Sequence, residues 1–395
     1  MFLHKYEDKH TECKRKEKLP DKISPYCSRR PNEMTEEFNR YATALNTRKL
    51  FEMDTLYQEH LNDYIPAFQA HFNKTCETIC RLQKKNEIGE ISYLEYTFLH
   101  TNLIQKNETA EVRVYNKDWY FDPAQRAVGS FDYSFVFTKY RELWNELMTS
   151  RKRFAGAVTA QETISFLLTC ASIYYRYVAS IFRYSILPCV ETEPFLSVRR
   201  ADEFEINVGE YMAYTEAVYK ENHTRTSADA LDWFRLREEF VYAFEDFSGL
   251  DFSGADLSEI DLRYADLRRA DLTGTDFQDS LLYGTRFCNA SLRGADLRYC
   301  QIHEADFSGA DLTDARLNTT TGYQGVPDKE NWTLTGFRPI NFRNANLTRA
   351  DFCRSKIRDA DFTGAVMDGT RMDRRQLEQF ALSFQQKQAI QIMDL

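Results

Sequence analysis

The chain has 395 residues, of which 28% are charged and 43% hydrophobic, and its net charge is −9. This length predicts two or three domains. The composition is that of a globular protein and excludes a disordered or collagen-like chain. The negative charge disfavours bulk electrostatic binding to nucleic acid, and nine scattered cysteines argue against a secreted disulfide framework.

Residues 1–30 are a charged tail with nine basic and five acidic side chains. The tail is charged from its fifth residue and has no apolar run behind it, so it does not have the pattern of a signal peptide. We therefore expect a cytoplasmic protein. His10, Cys13 and Cys27 could supply part of a zinc site, but a solvated tail without metal is the simpler interpretation.

Residues 31–244 predict a mainly α-helical domain with a small β element. Helical patterns cover about 35–86, where Pro66 begins a second helix, and then about 136–152, 160–187, 209–221 and 227–243. The segments ISYLEYTFLHTNLI, AEVRVYN and DWYFDP are rich in β-branched and aromatic residues and predict a small sheet or hairpin.

The segment Ile164–Ile186 is long enough to cross a membrane. Arg176 and Arg183 lie well inside it, and each would cost about 2.5–3.5 kcal/mol near the bilayer centre. A buried core helix is therefore the preferred interpretation, and no membrane association is expected.

Catalytic motifs are missing from this sequence, which has no glycine-rich phosphate loop, GxSxG, HExxH or CxxC. Cys76 and Cys80 lie four residues apart near His71, but without a fourth ligand they are better interpreted as buried thiols. His60, His71 and His100 could transfer protons, yet no nucleophile is paired with them. We therefore predict no catalytic residue, no metal and no cofactor.

The carboxyl-terminal part is repetitive. From Phe247 onwards a large apolar residue, the centre of a repeat, recurs at every fifth position. The first fifteen centres are Phe247, Phe252, Leu257, Leu262, Leu267, Leu272, Phe277, Leu282, Phe287, Leu292, Leu297, Ile302, Phe307, Leu312 and Leu317. Nine more follow in frame: Trp332, Phe337, Phe342, Leu347, Phe352, Ile357, Phe362, Met367 and Met372. A five-residue period fits neither a helix nor a strand, and predicts twenty-residue coils with four short sides.

A small residue stands two positions before most centres, and an Asp stands between the two, as in GADLSEIDLRYADLRRADLTG and GADLRYCQIHEADFSGADLTDARL. These segments resemble the pentapeptide-repeat family, whose consensus is A-D/N-L-X-X, and the resemblance covers residues 245–374. It implies a right-handed quadrilateral β-helix. The expected architecture is thus multidomain, with a mainly α-helical (α+β) amino-terminal domain followed by this β-helix.

Two segments depart from the five-residue pattern, one within the repeats and one after them. Residues 318–331 contain Gly322, Gly325 and Pro327 and predict a loop. Residues 375–395 carry apolar residues at helical spacing and predict an amphipathic helix that caps the last coil. In family members that dimerise end to end this segment makes the contact, so the resemblance leaves a homodimer through it as an open alternative.

A candidate binding surface follows from the twenty-residue coil. Arg263, Tyr283 and His303 fall into one column on the outer face, with Tyr264 and Glu304 beside them. Arg and Tyr are typical of protein contact patches, so this column is the predicted site for an unidentified protein partner.

Three functions remain open from the sequence. The leading hypothesis is a cytoplasmic, bacterial-type, non-enzymatic interaction or scaffold protein that binds protein rather than nucleic acid. The second, taken from the resemblance, is a topoisomerase-protecting DNA mimic of the quinolone-resistance type. It is weakened because residues 245–317 carry 15 acidic and 7 basic side chains, whereas residues 332–372 carry 4 acidic and 7 basic ones. The third is an enzyme with a catalytic helical domain and the repeats as a specificity module. A deep polar pocket between 136–187 and 209–243 would favour this third hypothesis.

Overall fold

A computed structural model describes residues 31–154, 156–211, 215–238, 241–323 and 338–394, with the backbone alone at 31–34. The tail, with His10, Cys13 and Cys27, lies outside the described residues. The chain is divided into two compact units, one comprising Met1–Leu56 with Phe137–Ala171 and the other Tyr57–Val136 with Ser172–Leu395.

The helices and strands alternate before the repeats and are short after them. The α-helices are α1 (Pro31–Lys84), α2 (His100–Ile104), α3 (Thr138–Ser150), α4 (Ala160–Val190), α5 (Glu193–Leu196), α6 (Ser227–Phe234), α7 (Arg374–Gln379) and α8 (Phe384–Ala389). The strands are β1 (Ile91–Phe98), β2 (Thr109–Tyr115), β3 (Arg126–Asp132), β4 (Arg200–Glu210), β5 (Thr215–Asn222), β6 (Thr321–Gly322), β7 (Lys356–Ile357), β8 (Arg371–Asp373) and β9 (Gln391–Met393). Short 3₁₀ turns cover Trp119–Phe121 and Arg151–Phe154.

Helix α1 is a single helix of 54 residues that continues through Pro66. The prediction that a second helix begins at Pro66 is therefore wrong. Pro66 and the residue four positions earlier, Asn62, are both exposed, so water can hydrate the carbonyl that loses its hydrogen bond.

The first unit is held by an aromatic contact and an ion-pair cluster. The rings of Phe38 and Phe154 meet edge to face at 5.2 Å. The Lys49 ammonium lies 2.6 Å from a carboxylate oxygen of Glu142 and 3.1 Å from one of Glu52.

The second unit contains a mixed five-stranded sheet in the order β3-β2-β1-β4-β5, in which β1 and β4 are parallel and the other pairs antiparallel. One face packs on the second half of α1 and on α4. There the ring of Phe182 lies 4.3 Å from that of Phe68 and 4.7 Å from that of Tyr96.

Three predictions in this part of the chain are wrong. DWYFDP forms a 3₁₀ turn, and the predicted helix at 209–221 is replaced by the end of β4 and by β5. The predicted helix at 227–243 ends at Phe234. The β element is thus larger than predicted, because pairing of distant strands outweighs a local helical pattern.

The repeat segment is a ladder of parallel bridges. Asp256 pairs with Asp276, Asp276 with Asp296, and Asp296 with Arg316, always twenty residues on. Each coil therefore lies on the next, and the fifteen centres from Phe247 to Leu317 are all buried, as predicted. Four consecutive centres make one coil, so the centres form four rows along the segment.

Each repeat turns at the second residue after its centre, where the backbone φ is positive. Examples are Gly254, Glu259 and Tyr264, with φ of 67°, 54° and 58°. The turn closes with a hydrogen bond such as that from the Ala255 amide to the Phe252 carbonyl, at 3.0 Å. Glycine is frequent at this position because it adopts positive φ without steric cost.

The recurrent Asp before each centre has a structural role. The Asp251 carboxylate accepts a hydrogen bond from the backbone amide of Ser253 at 2.9 Å, and this contact holds the pKa of Asp251 below its usual value. Asn341 accepts the same bond from Arg343 at 3.0 Å. Asp and Asn are therefore interchangeable here, since either side chain supplies the acceptor for the turn.

The ladder offset changes from twenty to thirty-five residues after Thr321, because Asp306 pairs with Asn341. Fifteen additional residues thus lie between Thr321 and Asn341. The predicted loop 318–331 is wrong at its start, since Thr320 and Gly322 are buried within the regular ladder. Trp332, Phe337, Gly325 and Pro327 lie outside the described residues.

Gly322 occupies a centre position without a side chain, and Ile340 compensates for it. A Cβ atom at Gly322 would lie only 2.4 Å from Cδ1 of Ile340, which stands at the usually small position before Phe342. Ile340 is fully buried, so the large and small positions are exchanged at this point of the core.

Both ends of the repeat core are covered. At the first coil the ring of Phe234 in α6 lies 4.8 Å from that of Phe247 and 5.4 Å from that of Phe252. At the last coil the ring of Phe380 lies 4.9 Å from that of Phe362. The segment after Met372 forms two short helices and strand β9 rather than the single predicted helix, and Phe384 on it is 75% exposed.

Candidate interaction surfaces of the repeat segment

The parallel bridges sort the centres into four rows. The first row is Phe247, Leu267, Phe287, Phe307, Phe342 and Phe362; the second is Phe252, Leu272, Leu292, Leu312, Leu347 and Met367; the third is Leu257, Phe277, Leu297, Leu317, Phe352 and Met372; the fourth is Leu262, Leu282, Ile302, Gly322 and Ile357. The residues that follow the centres in each row face outwards, and their burial differs sharply between rows.

Tyr283 and His303 of the predicted column are stacked beside the fourth row. The rings of Tyr283 and His303 are parallel within 14° at 4.6 Å, and Tyr323 meets His303 edge to face at 4.3 Å. The ring nitrogen Nδ1 of His303 lies 3.2 Å from both the amide and the carbonyl of Tyr323. Burial lowers the pKa of His303 below its usual value, and the contact with the Tyr323 carbonyl partly offsets this.

The neighbouring column contains Tyr264, Gly284 and Glu304. A Cβ atom at Gly284 would lie 2.3 Å from the Tyr264 ring, so only glycine leaves room for the ring at this position. Tyr264 also stacks on Phe244, with the ring centres 5.1 Å apart. Gly284 and Phe244 therefore both restrict the position of the aromatic ring.

Helix α4 contacts this neighbouring column through a buried polar cluster that also includes one residue of β5: Arg183, Tyr184, Glu216, Tyr264 and Glu304. The Arg183 guanidinium lies 4.5 Å from the centre of the Tyr264 ring, and its Nε lies 2.8 Å from Oε1 of Glu216. The Tyr184 hydroxyl donates to the Glu304 carboxylate. Burial raises the pKa of the Glu216 carboxyl, and the Arg183 charge partly offsets that rise.

The same carboxylate also fixes the chain after the insertion. The Arg338 amide donates to Oε1 of Glu304 at 2.9 Å, and the Arg338 guanidinium lies 4.3 Å from the centre of the Tyr184 ring. The return of the chain to the ladder is thereby tied to α4.

These contacts correct the predicted binding surface. Tyr283, His303 and Glu304 are 8%, 2% and 9% exposed, and Arg263 and Tyr264 are half-buried. Arg263 forms an ion pair with Asp261 at 2.7 Å. The residues lie together as predicted, but they were wrongly expected to face solvent. No pattern in the repeats distinguishes a surface covered by the chain itself from one that receives a partner.

The first row is partly covered as well. Arg286 is 9% exposed, and its Nη2 donates to the Val218 carbonyl in β5 at 3.2 Å. Near the first coil, Lys220 of β5 bridges Glu205 and Glu245 at 3.1 and 2.6 Å. Strand β5 therefore contacts the first row directly, while its Glu216 pairs with Arg183, which lies over Tyr264 beside the fourth row.

The second and third rows remain accessible. Residues after the second-row centres, including Ser253, Thr273 and Arg293, are exposed. After the third-row centres, Glu259 and Asp279 are exposed and Tyr299 is 54% exposed. This surface was not predicted from the sequence, although Tyr299 is a large aromatic residue at a turn position.

Those of the predicted histidines and cysteines that the structure describes are occupied by packing and pairing contacts. His71 packs against Phe131 at 5.0 Å, and burial lowers its pKa to about 4. His100 pairs with Glu210 at 3.1 Å, and burial raises the pKa of the Cys76 thiol. Within the described residues no three His, Cys, Asp or Glu side chains form a metal-type cluster.

Two cavities of the second unit bear on an enzymatic function. A cavity of about 50 Å³ lies between α4 and β4, lined by Phe98, Tyr175, Arg176, Glu210 and Glu216 among others. An open groove of about 600 Å³ lies beside the end of α1, lined by eight residues: Glu77, Cys80, Arg81, Lys84, Lys85, Glu193, Pro194 and Ser197. The described residues of neither cavity pair a nucleophile with a base.

One helix among the described residues, Ala160–Val190, is long and apolar enough to cross a membrane by length and composition alone. Its most apolar window is 56% buried, and Arg183 on it pairs with Glu216.

Comparison with known proteins agrees with this architecture. The family model for pentapeptide repeats matches residues 246–279, 276–314 and 340–374, and no family matches the amino-terminal half. Residues 246–374 are therefore pentapeptide repeats, which imply a right-handed β-helix. No curated protein matches the chain.

Several solved pentapeptide-repeat structures are similar to part of the chain. HetL, involved in heterocyst differentiation regulation in the cyanobacterium Nostoc sp. strain PCC 7120, is 21% identical over 34% of this chain and 64% of its own, with a TM-score of 0.18. QnrB1, a plasmid-mediated fluoroquinolone resistance protein, is 16% identical over 40% of this chain and 86% of its own, with a TM-score of 0.16. A thylakoid-lumen protein of Arabidopsis thaliana is 28% identical over 37% and 74%, with a TM-score of 0.13. The chain spans less than two thirds of the length of HetL.

Proposed function

We propose that this chain is a non-enzymatic protein-interaction module that presents the second and third rows of its repeat segment to a protein partner. The one-sided burial of the repeats carries the proposal. Arg183 of α4, paired with Glu216 of β5, covers Tyr264 beside the fourth row, whereas Ser253, Thr273 and Tyr299 on the other rows are exposed.

The accessible surface is rigid as well as exposed. Stacked backbone bonds join each coil to the next, for instance from the Gly254 amide to the Thr273 carbonyl at 2.8 Å. A surface ordered before binding loses little conformational entropy when a partner docks, which favours recognition. A quadrilateral coil would also give these rows flat sides.

The test uses bulky substitutions at two exposed turn positions. Ser253→Arg with Thr273→Arg places two long side chains on the second row, where Arg293 already stands at the equivalent place, so the fold is expected to tolerate them. The matched control is Thr55→Arg with Thr149→Arg, at exposed positions of α1 and α3.

The readout is affinity capture from host lysate with the full chain and both variants. We expect a protein that binds the wild type and the control but is lost from the Ser253→Arg, Thr273→Arg variant. If every captured protein is retained by that variant, the second row is not the binding surface.

A DNA-mimic function is the second candidate, and the first two coils favour it. Their second and third rows carry six carboxylates: Asp251, Asp256, Glu259, Asp271, Asp276 and Asp279. Two coils rise by about 10 Å at the usual strand spacing, a length over which duplex DNA carries about six charges.

This candidate is tested by DNA gyrase supercoiling assays. Mimicry predicts inhibition that weakens when Asp271, Asp279 and Glu259 are replaced by their amides, because the charge is lost while the shape is kept. Unchanged supercoiling with micromolar wild-type protein would rule it out.

A further inference from the structure

The side chains at the turn positions of the third row change from acidic to basic along the repeats. The residue two positions after each third-row centre faces outwards at a turn. In order along the coils these residues form a line of Glu259, Asp279, Tyr299, Thr319, Arg354 and Arg374. The order is acid, acid, aromatic, hydroxyl, base, base.

The line is continuous in space. Bridges join Asp256, Asp276, Asp296, Arg316, Asp351 and Arg371, the residues just before the third-row centres, without interruption. The bridges of the third row continue from Arg316 directly to Asp351, so the longer sequence offset does not interrupt this row. At about 4.8 Å per coil the six turn residues extend over about 24 Å.

The line is also accessible. Tyr299 is 54% exposed, and Glu259, Asp279, Arg354 and Arg374 are exposed around it. Arg374 contacts Asp394 of its own chain at 3.2 Å, and both side chains of that pair are largely in solvent. Such a pair exchanges partners at little cost.

We propose that this line is a self-complementary surface through which two copies of the chain associate side by side and antiparallel. A two-fold axis between Tyr299 and Thr319 places Glu259 opposite Arg374 of the second copy and Asp279 opposite Arg354 of the second copy. The same axis repeats both pairs, so four opposite-charge contacts surround a central Tyr299. A parallel alignment would place like charges together. The arrangement is closed, giving a dimer rather than a filament.

The same axis brings Asp256 opposite Arg371, Asp296 opposite Arg316 and Asp276 opposite Asp351. Most of these flanking residues already form ion pairs in their own chain: Asp256 with Arg237 at 3.1 Å, Arg316 with Asp296 at 3.3 Å and Arg371 with Asp351 at 3.0 Å. The alignment therefore depends on the turn residues and not on these neighbours.

The strip is shorter than a standard protein interface, and its contacts are exposed charges. Association is therefore expected to be weak and sensitive to salt. It goes beyond the proposed function, because it pairs two copies through the third row and leaves the second row for another partner.

The experiment is sedimentation velocity of the full chain at 50 mM and 500 mM salt. We expect dimer at low salt and monomer at high salt, because the screening length falls several-fold over this range. Protein that stays monomeric at high concentration in 50 mM salt would overturn the proposal.

Charge reversal identifies the surface. One variant carries Glu259→Arg and Asp279→Arg, and the other carries Arg354→Glu and Arg374→Glu. Each is expected to be monomeric alone, since its line then bears one sign, and an equimolar mixture is expected to form the heterodimer. Arg269 and Glu304 already occupy positive-φ turn positions elsewhere in the repeats, so these side chains fit such turns.

The matched control is Arg293→Glu with Arg349→Glu on the second row, which is expected to dimerise like the wild type. Circular dichroism and the unfolding midpoint confirm that each variant is folded. A dimer that survives both reversals, or a mixture that fails to associate, contradicts the proposal, and the former would point to the carboxyl-terminal segment instead.

Discussion

Gly284 shows how one residue determines what can pack outside the coil. Its φ is +60°, and the Tyr264 ring occupies the space that a side chain would need. Gly274 also has positive φ, of 68°, but a Cβ atom there would meet nothing within 4 Å. Substituting each glycine therefore distinguishes two energetic costs. At Gly274 a side chain would meet only an unfavourable backbone conformation, whereas at Gly284 it would also collide with the Tyr264 ring.

We expect Gly274→Ala to lower the free energy of unfolding by about 1 kcal/mol, the cost of holding alanine at positive φ. Gly284→Ala should cost a further 1–3 kcal/mol or so, because the Tyr264 ring has to move. Denaturant unfolding of both variants measures the difference, and equal losses would show that the ring moves freely.

His303 gives the protein a pH dependence at the same surface. Its pKa is lowered in the folded state, so the unfolded chain binds the proton more tightly. The stability contribution is complete above the unfolded value of about 6.5 and is lost as pH falls below it, by at most about 1.4 kcal/mol per pH unit.

His303→Phe keeps an aromatic ring between Tyr283 and Tyr323 but removes the proton site. We expect the unfolding free energy of this variant to fall less than that of the wild type between pH 7 and pH 5. His71 and the carboxyls titrate in both proteins, so the difference between the two curves reports His303. Parallel curves would show that His303 is not responsible.

At the scale of elements, the Arg183–Glu216 ion pair joins α4 to β5 beneath Tyr264. Both side chains are 6% exposed. Removing one partner leaves a buried, unpaired charge, whereas removing both leaves none.

We expect Arg183→Met to lower the free energy of unfolding by about 3–5 kcal/mol, and the double variant Arg183→Met, Glu216→Leu to lose much less. Arg235→Met is the matched control, since Arg235 forms an exposed pair with Asp232. Chemical denaturation measures all three. A double variant as unstable as the single one would show that packing on Tyr264, rather than charge, is the main contribution.

At the scale of the whole molecule, the repeat core depends on covered ends. Each coil contacts only its neighbours, so loss of an end cover should loosen the nearest coils first. Phe234 is buried against Phe247 and Phe252 at the first coil.

Phe234→Ala should cost about 3–5 kcal/mol and speed amide exchange at Leu257 and Leu262 more than at Leu312. Phe384→Ala, at a side chain that is 75% exposed, is the control and should change little. Exchange mass spectrometry resolves the two ends. Uniform acceleration along the repeats would indicate a single cooperative unit instead.

The repeats were predictable from the sequence because their information is local. Every centre from Phe247 to Leu317 repeats the same five-residue interaction, and the Asp before it serves a turn two residues away. A period read from the sequence therefore determines which side chains enter the core, and the charge order along the third row follows once the coil is twenty residues long.

Tertiary structure alone decided which outer surface is free. Glu304 is covered by Tyr184 of α4 and Arg286 by Val218 of β5, residues that lie 120 and 68 positions earlier in the chain and carry no repeat. The strands β4 and β5 could likewise not be predicted from the sequence, because their stability comes from pairing with other strands and not from a local pattern. Local periodicity determined the inside of the coil, and long-range packing determined its outside.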